Sequence, residues 1–175
     1  MFKLRELEEK DLSVINNWRN DPDLIAMLGA PFRYINLTID KKWYEDYIAN
    51  RNNVVRCSII DQNNNNLILG LVSLASIDYL NQSAELHIMI GDNKNQGRGA
   101  GSFAIKEMLN HGFNNLNLNR IELTVVDSNK RAQHVYQKIG FVHEGIKRCS
   151  KYKNGCFVDM HIYSILKEEF NKNNI

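Results

Sequence analysis

The sequence predicts a mixed α/β (α+β) domain in which helices interrupt a mainly antiparallel sheet. Three observations predict it. Seven runs of residues have the alternation or apolar clustering of strands. Four longer segments carry an apolar stripe at helical spacing. The 175 residues show no internal repeat and no dividing linker, so one domain with a sizeable core accounts for them.

Residues 2–7 read as the first strand. Asp11 is the expected cap of a helix with Leu12, Ile15 and Trp18 on one face, and Asp21-Pro22 ends it. A short helical piece follows to Leu28. Residues 31–37 form a loop. Thr38 then caps a second helix to about Asn50, with Trp43, Tyr47 and Ile48 as its stripe. Residues 54–60, 67–78 and 84–90 make a three-strand meander, turned by the asparagine run 63–66 and by Asn81-Gln82. A glycine-rich turn at 97–101 opens a helix carrying Ala104, Ile105, Met108 and Leu109. Residues 119–126 return as a strand. Ser128 or Asn129 caps the next helix, with Ala132, Val135, Tyr136 and Ile139 on one stripe and Gly140 at its end. Residues 141–152 and 156–166 form a hairpin around Asn154-Gly155, the strongest short turn signal in the chain. The domain spans residues 1–168, and a polar tail, 169–175, is expected to fray.

Composition excludes several classes of function. Net charge is only +2, which gives no broad surface for nucleic acid or for an anionic membrane. No stretch approaches 18 apolar residues, and charge starts at Lys3, so neither a span nor a signal core is expected. Cys57, Cys149 and Cys156 are sparse and odd in number, which reads as reduced thiols in a cytoplasmic protein. A turn at Asn154-Gly155 pairs Lys153 with Cys156 and sets Cys149 opposite Met160, which opposes a Cys149–Cys156 disulfide. No Cys/His cluster has metal-ligand spacing, so no metal is expected. The 24 asparagines are the odd feature. Residues 63–66, Asn81, Asn93, Asn95, Asn114, Asn115 and Asn154 fall in predicted turns, where asparagine is at home.

The informative stretch runs from the strand Ala84-Glu85-Leu86-His87-Ile88-Met89-Ile90 into Gln96-Gly97-Arg98-Gly99-Ala100-Gly101-Ser102. A strand enters a glycine-rich turn that opens a helix. Glycine lets backbone approach a ligand closely, and the first helical N–H groups have no internal partners. Phosphate or pyrophosphate suits such a turn. A P-loop ending in Gly-Lys-Ser/Thr is absent. A dinucleotide fold fits poorly, because position 102 is serine and the preceding strands are antiparallel. Glu122 lies about 20 residues on, but at the start of its strand, whereas a ribose-binding acid belongs at the end. The bland alternative is a tight turn with glycines for clearance.

Gln96-x-x-Gly99-x-Gly101 resembles the Gln/Arg-x-x-Gly-x-Gly/Ala signature of the GNAT superfamily of acetyl-CoA-dependent N-acetyltransferases. Asn129-x-x-Ala132-x-x-x-Tyr136-x-Lys138-x-Gly140-Phe141 is similar to the family's second cofactor-side motif. The helix–strand–helix–strand order fits too. Ala84-Glu85 with the following loop matches the branch holding ribosomal-protein N-terminal and spermidine acetyltransferases. The resemblance covers Lys3 to Leu166. It implies a twisted sheet of about seven strands flanked by helices, whose splayed central strands admit the pantetheine arm of acetyl-CoA. It further implies that Met89, Ile90 and Gly91 meet pantetheine, and that Gln96, Gly97, Arg98, Gly99, Ala100, Gly101 and Ser102 hold pyrophosphate. Asn129 would bond the arm, and Ala132, Tyr136 and Lys138 fall in the segment lining the rest of the cofactor site.

The implied reaction is direct attack of a primary amine on the acetyl thioester, without a metal. Tyr136 occupies the family's general-acid position; as a core aromatic it would sit on the same stripe. Glu85 is the candidate base. Strand alternation projects it with His87 from one face, and a water relay is the remaining option. The expected acceptor is a small amine, such as an amino-sugar nucleotide, or a protein N-terminus. Residues 29–34 lack an acidic run, which demotes a polyamine. Arg19, Arg33 and Arg56 favour an anionic acceptor or are ordinary surface charge. Trp18, Trp43 and Tyr44 line a pocket or fill the core. A non-catalytic acetyl-CoA sensor is the alternative of a different class. A homodimer is a family habit without a diagnostic interface here.

Overall fold

Period-two alternation and asparagine or glycine turns divide the sheet into β1 (Phe2–Glu6), β2 (Val55–Asp61), β3 (Leu67–Asp78), β4 (Ser83–Ile90), β5 (Arg120–Val126), β6 (Val142–Lys153) and β7 (Cys156–Leu166). The helices are α1 (Leu12–Arg19), α2 (Pro22–Ala26), α3 (Leu37–Ala49), α4 (Ala100–Asn110), α5 (Lys130–Ile139) and α6 (Lys167–Asn173). This computed structural model describes residues 1–95 and 97–173. One sheet runs in the order β1-β2-β3-β4-β5-β7-β6, antiparallel at every step except β4–β5. Among the described residues no helix is long and apolar enough to cross a membrane.

Two apolar clusters cover the two faces. Ala104, Ile105, Met108 and Leu109 of α4 join Tyr136 and Ile139 of α5 over Leu86 and Leu123. On the other face, Leu12, Ile15 and Trp18 of α1 pack with Leu24, Tyr47, Ile60 and Ile68. Trp18 is therefore core. Its indole lies against the backbone of Gly91, where a Cβ would stand 2.0 Å from the ring, so only glycine fits there.

Local chemistry explains where the structure departs from sequence expectation. Asp11 does not cap α1. Its buried carboxylate accepts from Arg5 Nη2 at 2.8 Å and from Ser58 Oγ at 2.7 Å, ties that no local pattern announces. Asn36, not Thr38, caps α3, accepting from the Ile39 N–H at 3.1 Å. Asn129 caps α5, and Gly140 ends it. Asn154 and Gly155 both take positive φ, 49° and 85°, as the hairpin turn requires. That turn pairs Lys153 with Cys156. A bulge between Lys147 and Lys151 then shifts the register, so Lys147, rather than Cys149, lies opposite Met160. Residues 169–173 of the expected tail lie in α6. Phe170 of α6 is buried, with its ring centre 5.4 Å from that of Phe113.

Candidate active site

The cleft begins where the sheet fails to close. β4 and β5 pair only at Ser83–Arg120, Ala84–Ile121 and Glu85–Glu122. Both strands run on, to Ile90 and Val126, without pairing to each other. Their facing backbone groups are left for another partner. A cleft of about 1300 Å³ passes through this gap, walled by α4 and α5 on one side and by α2, Trp43 and the β6–β7 hairpin on the other. The splay expected from the resemblance is thus present.

The start of α4 forms one wall. Gly99 is its cap, with φ +90° and open space around the position of a Cβ. Ala100, Gly101 and Ser102 follow, and their N–H groups precede that of Phe103, the first to donate within the helix, to Gly99 O at 3.0 Å. Gly97, Gly99, Ala100, Gly101 and Ser102 all line the cleft. Arg98 does not. Its Nη2 pairs with the buried Asp61 carboxylate at 2.8 Å, so it anchors the turn to β2. Arg131 lies in the place that sequence reasoning gave to Arg98, with Nη2 2.9 Å from where a Cβ on Gly97 would sit. Backbone N–H groups and this nearby guanidinium make the wall suited to an anion. Gln96 lies outside the described residues.

Met89 and Ile90 line the gap, whereas the Gly91 N–H is taken by Leu69 O at 2.8 Å and its Cα is covered by Trp18. Asn129 and Ala132 line it too. The Asn129 side chain is already committed: Oδ1 accepts from the Ala132 N–H and Nδ2 donates to Met27 O, both at 3.1 Å. Lys138 is exposed and away from the cleft.

Tyr136 reaches the cleft from α5 and is only 7% exposed. Phe141 and Tyr163 hold its ring, with centroids at 5.9 and 6.1 Å. Burial pushes its hydroxyl up to about 12. Glu85 and His87 project together from β4, as alternation predicts, with Oε2 and Nε2 3.5 Å apart. The cleft walls hold His87 below the ordinary imidazole range; the Arg56 charge acts the same way and Glu85 opposes it. Glu122, in register with Glu85, adds a second carboxylate. Arg120 binds Glu122 at 2.9 Å and Glu144 at 2.6 Å.

The remaining wall comes from residues far apart in sequence. Lys153 Nζ donates to Ile25 O at 2.9 Å and to Ala30 O at 2.8 Å, tying the hairpin to α2 and the segment after it. Lys147, Ser150, Lys151 and Met160 of that hairpin line the cleft, and only the fold brings them there. Trp43 and Arg56 line it from α3 and β2. Arg19 is instead paired with the buried Asp40, and Arg33 is exposed outside the cleft.

The sequence model described as an acetyltransferase (GNAT) domain matches residues 2–142. The spermidine N(1)-acetyltransferase of Vibrio cholerae is 32% identical over 168 residues, covering 95% of this chain and 94% of that protein. The spermidine N(1)-acetyltransferase of Escherichia coli K12 is 31% identical over 147 residues, covering 82% and 74%. Among solved structures, the Vibrio cholerae spermidine N-acetyltransferase in complex with CoA and spermine superposes with a TM-score of 0.90 at 30% identity, covering 97% of this chain and 98% of that one. With the split sheet and glycine turn already in place, these matches decide the matter: the chain belongs to the GNAT acetyltransferase family.

Proposed function

We propose that this chain moves an acetyl group from acetyl-CoA directly to a small primary amine within the β4–β5 gap. One observation carries the reading. The strands part immediately after Glu85 and Glu122, and the opening is lined by Glu85 and Tyr136 together with the glycine turn at the start of α4. In this reading the N–H groups at Gly99, Ala100, Gly101 and Ser102 hold pyrophosphate, and Met89 and Ile90 flank pantetheine. Glu85 accepts a proton from the amine or orients it, with His87 beside it. Tyr136, neutral at every physiological pH, donates to the departing sulfur.

The spermidine acetyltransferase relatives support a polyamine acceptor over the amino-sugar nucleotide or protein N-terminus expected from sequence. Asp23, Glu85 and Glu122 in the cleft give a polycation anionic partners. Spermidine is therefore the first acceptor to assay, followed by amino-sugar nucleotides and Ala- or Ser-starting peptides. The expected result is release of the coenzyme A thiol, with acetylated product, on addition of an amine. Tight acetyl-CoA binding with no amine-dependent release across the panel would instead identify a sensor module.

A further inference from the structure

Arg56 lies in a cross-strand row with Ser73 of β3 and His87 of β4, and all three line the cleft. Two rings lie against its guanidinium, with Cζ 4.8 Å from the Trp43 centroid and 5.7 Å from that of Tyr47. Among the described residues its buried Nε has no hydrogen-bond partner. The neighbouring arginines are compensated: Arg5 by Asp11, Arg19 by Asp40 and Arg51 by Glu6. The cleft carboxylates Glu85 and Glu122 face His87 and Arg120. Burial and the Arg19 charge both act to weaken the hold of Arg56 on its proton. A cation drawn partly out of water without a counter-ion costs free energy. Lys147 and Lys151 add positive charge to the same cleft.

We propose that Arg56 binds an oxyanion of the acceptor, so that the acetylated compound is an amine that also carries a phosphate or a carboxylate. The inference rests on the acetyl-transfer reading and parts from the polyamine acceptor that the relatives support, because Arg56 faces the cleft as a cation. The planar guanidinium fork matches either oxyanion with two parallel hydrogen bonds, and the Trp43 and Tyr47 rings restrict where that fork can lie. The backbones of His87 and Arg56 stand two strands apart, roughly 10 Å, so the row from Arg56 leads toward the Glu85–His87 pair. A bare polyamine would meet Arg56 as a like charge.

The test titrates spermidine, glucosamine, glucosamine 6-phosphate, an amino-sugar nucleotide and an Ala-Ala dipeptide into the CoA-saturated protein by calorimetry. Acetylation of each compound is measured in parallel. Wild type, Arg56→Met and Arg56→Lys are compared. The expected result is binding of at least one anion-bearing amine, weakened about tenfold or more in Arg56→Met and partly restored in Arg56→Lys. The loss should fall on the acceptor KM rather than on kcat. Phosphate and carboxylate compounds then tell which anion is read. Binding with no acetylated product from any amine would overturn the acetyl-transfer reading and this proposal with it, whereas acetylation that does not depend on Arg56 would overturn this proposal alone. Tighter binding of spermidine than of every anion-bearing amine would overturn it. So would unchanged acceptor affinity in Arg56→Met, whatever happens to Tm.

Discussion

Tyr136 is the residue whose burial says most about the chemistry. A hydroxyl at about 12 faces a leaving thiol with a reference value near ~8.5, so complete transfer to a free thiolate is uphill by about 5 kcal/mol. The ring is thus suited to donating a hydrogen bond as the C–S bond breaks, and its titration leaves no mark on the pH profile below about 10. In the proposed mechanism the proton to be moved is the amine's, and Glu85 is placed to take it. An acceptor amine near ~10 is almost wholly protonated at pH 7. Glu85→Gln should lower kcat/KM most at pH 6–7, with the deficit shrinking as pH rises and the amine deprotonates unaided. A pH-rate series of the two proteins checks this, and superimposable curves would remove Glu85 from the mechanism. The positions of Tyr136 and Glu85 were legible because helical and strand periods orient single residues locally. Arg131 beside Gly97, and the turning of Arg98 to Asp61, were not: a long flexible side chain follows its partner in space, which no spacing encodes.

At the scale of elements, the turn into α4 makes the clearest demand on sequence. Gly99 holds φ at +90°, which an L side chain resists by roughly 1–2 kcal/mol. Gly99→Ala should cost about that much stability. Because position 99 lines the cleft, it should also raise the KM for acetyl-CoA several-fold while leaving the acceptor KM near wild type. Denaturant unfolding with bisubstrate kinetics measures both; an unchanged acetyl-CoA KM would mean that the turn does not hold the cofactor. The glycine turn, the hairpin at Asn154-Gly155 and the end of α5 at Gly140 were readable because each requires a particular backbone conformation. The caps and the bulge were harder. Asn36 and Thr38 are both good cap residues two positions apart, and Asp11 leaves its cap for Arg5 and Ser58.

Across the whole molecule, the β2-β3-β4 meander and the β6–β7 hairpin follow from alternation and turn signals, whereas the place of β5 beside β4 and the closed half of the cleft do not. Lys153 joins the hairpin to Ile25 and Ala30 across more than a hundred residues, and no local pattern announces such a bond. Long-range ion pairs also shape the response to acid. Arg120 and Ser164 hold Glu144 down at about 2, well below its ordinary value near ~4.3. A depressed carboxylate contributes stability above its unfolded value, and that contribution is lost as pH falls through its folded one. Wild type should therefore lose stability between about pH 4.5 and 2 more steeply than Glu144→Gln. Chemical denaturation at several pH values compares the slopes, and equal slopes would show that this pair adds nothing. The asparagine excess is likewise a whole-chain feature with a local cause: Asn65, Asn66, Asn117 and Asn154 take positive φ in the connections between elements.

The central claim is acetyl transfer in the β4–β5 gap with Tyr136 as donor to the leaving sulfur. It is tested most directly by steady-state acetylation of the best acceptor in the panel with wild type and Tyr136→Phe, alongside acetyl-CoA binding by calorimetry. The predicted result is a fall in kcat of about 10²–10³-fold with acetyl-CoA affinity retained within a few-fold. Equal kcat in the two proteins would contradict it.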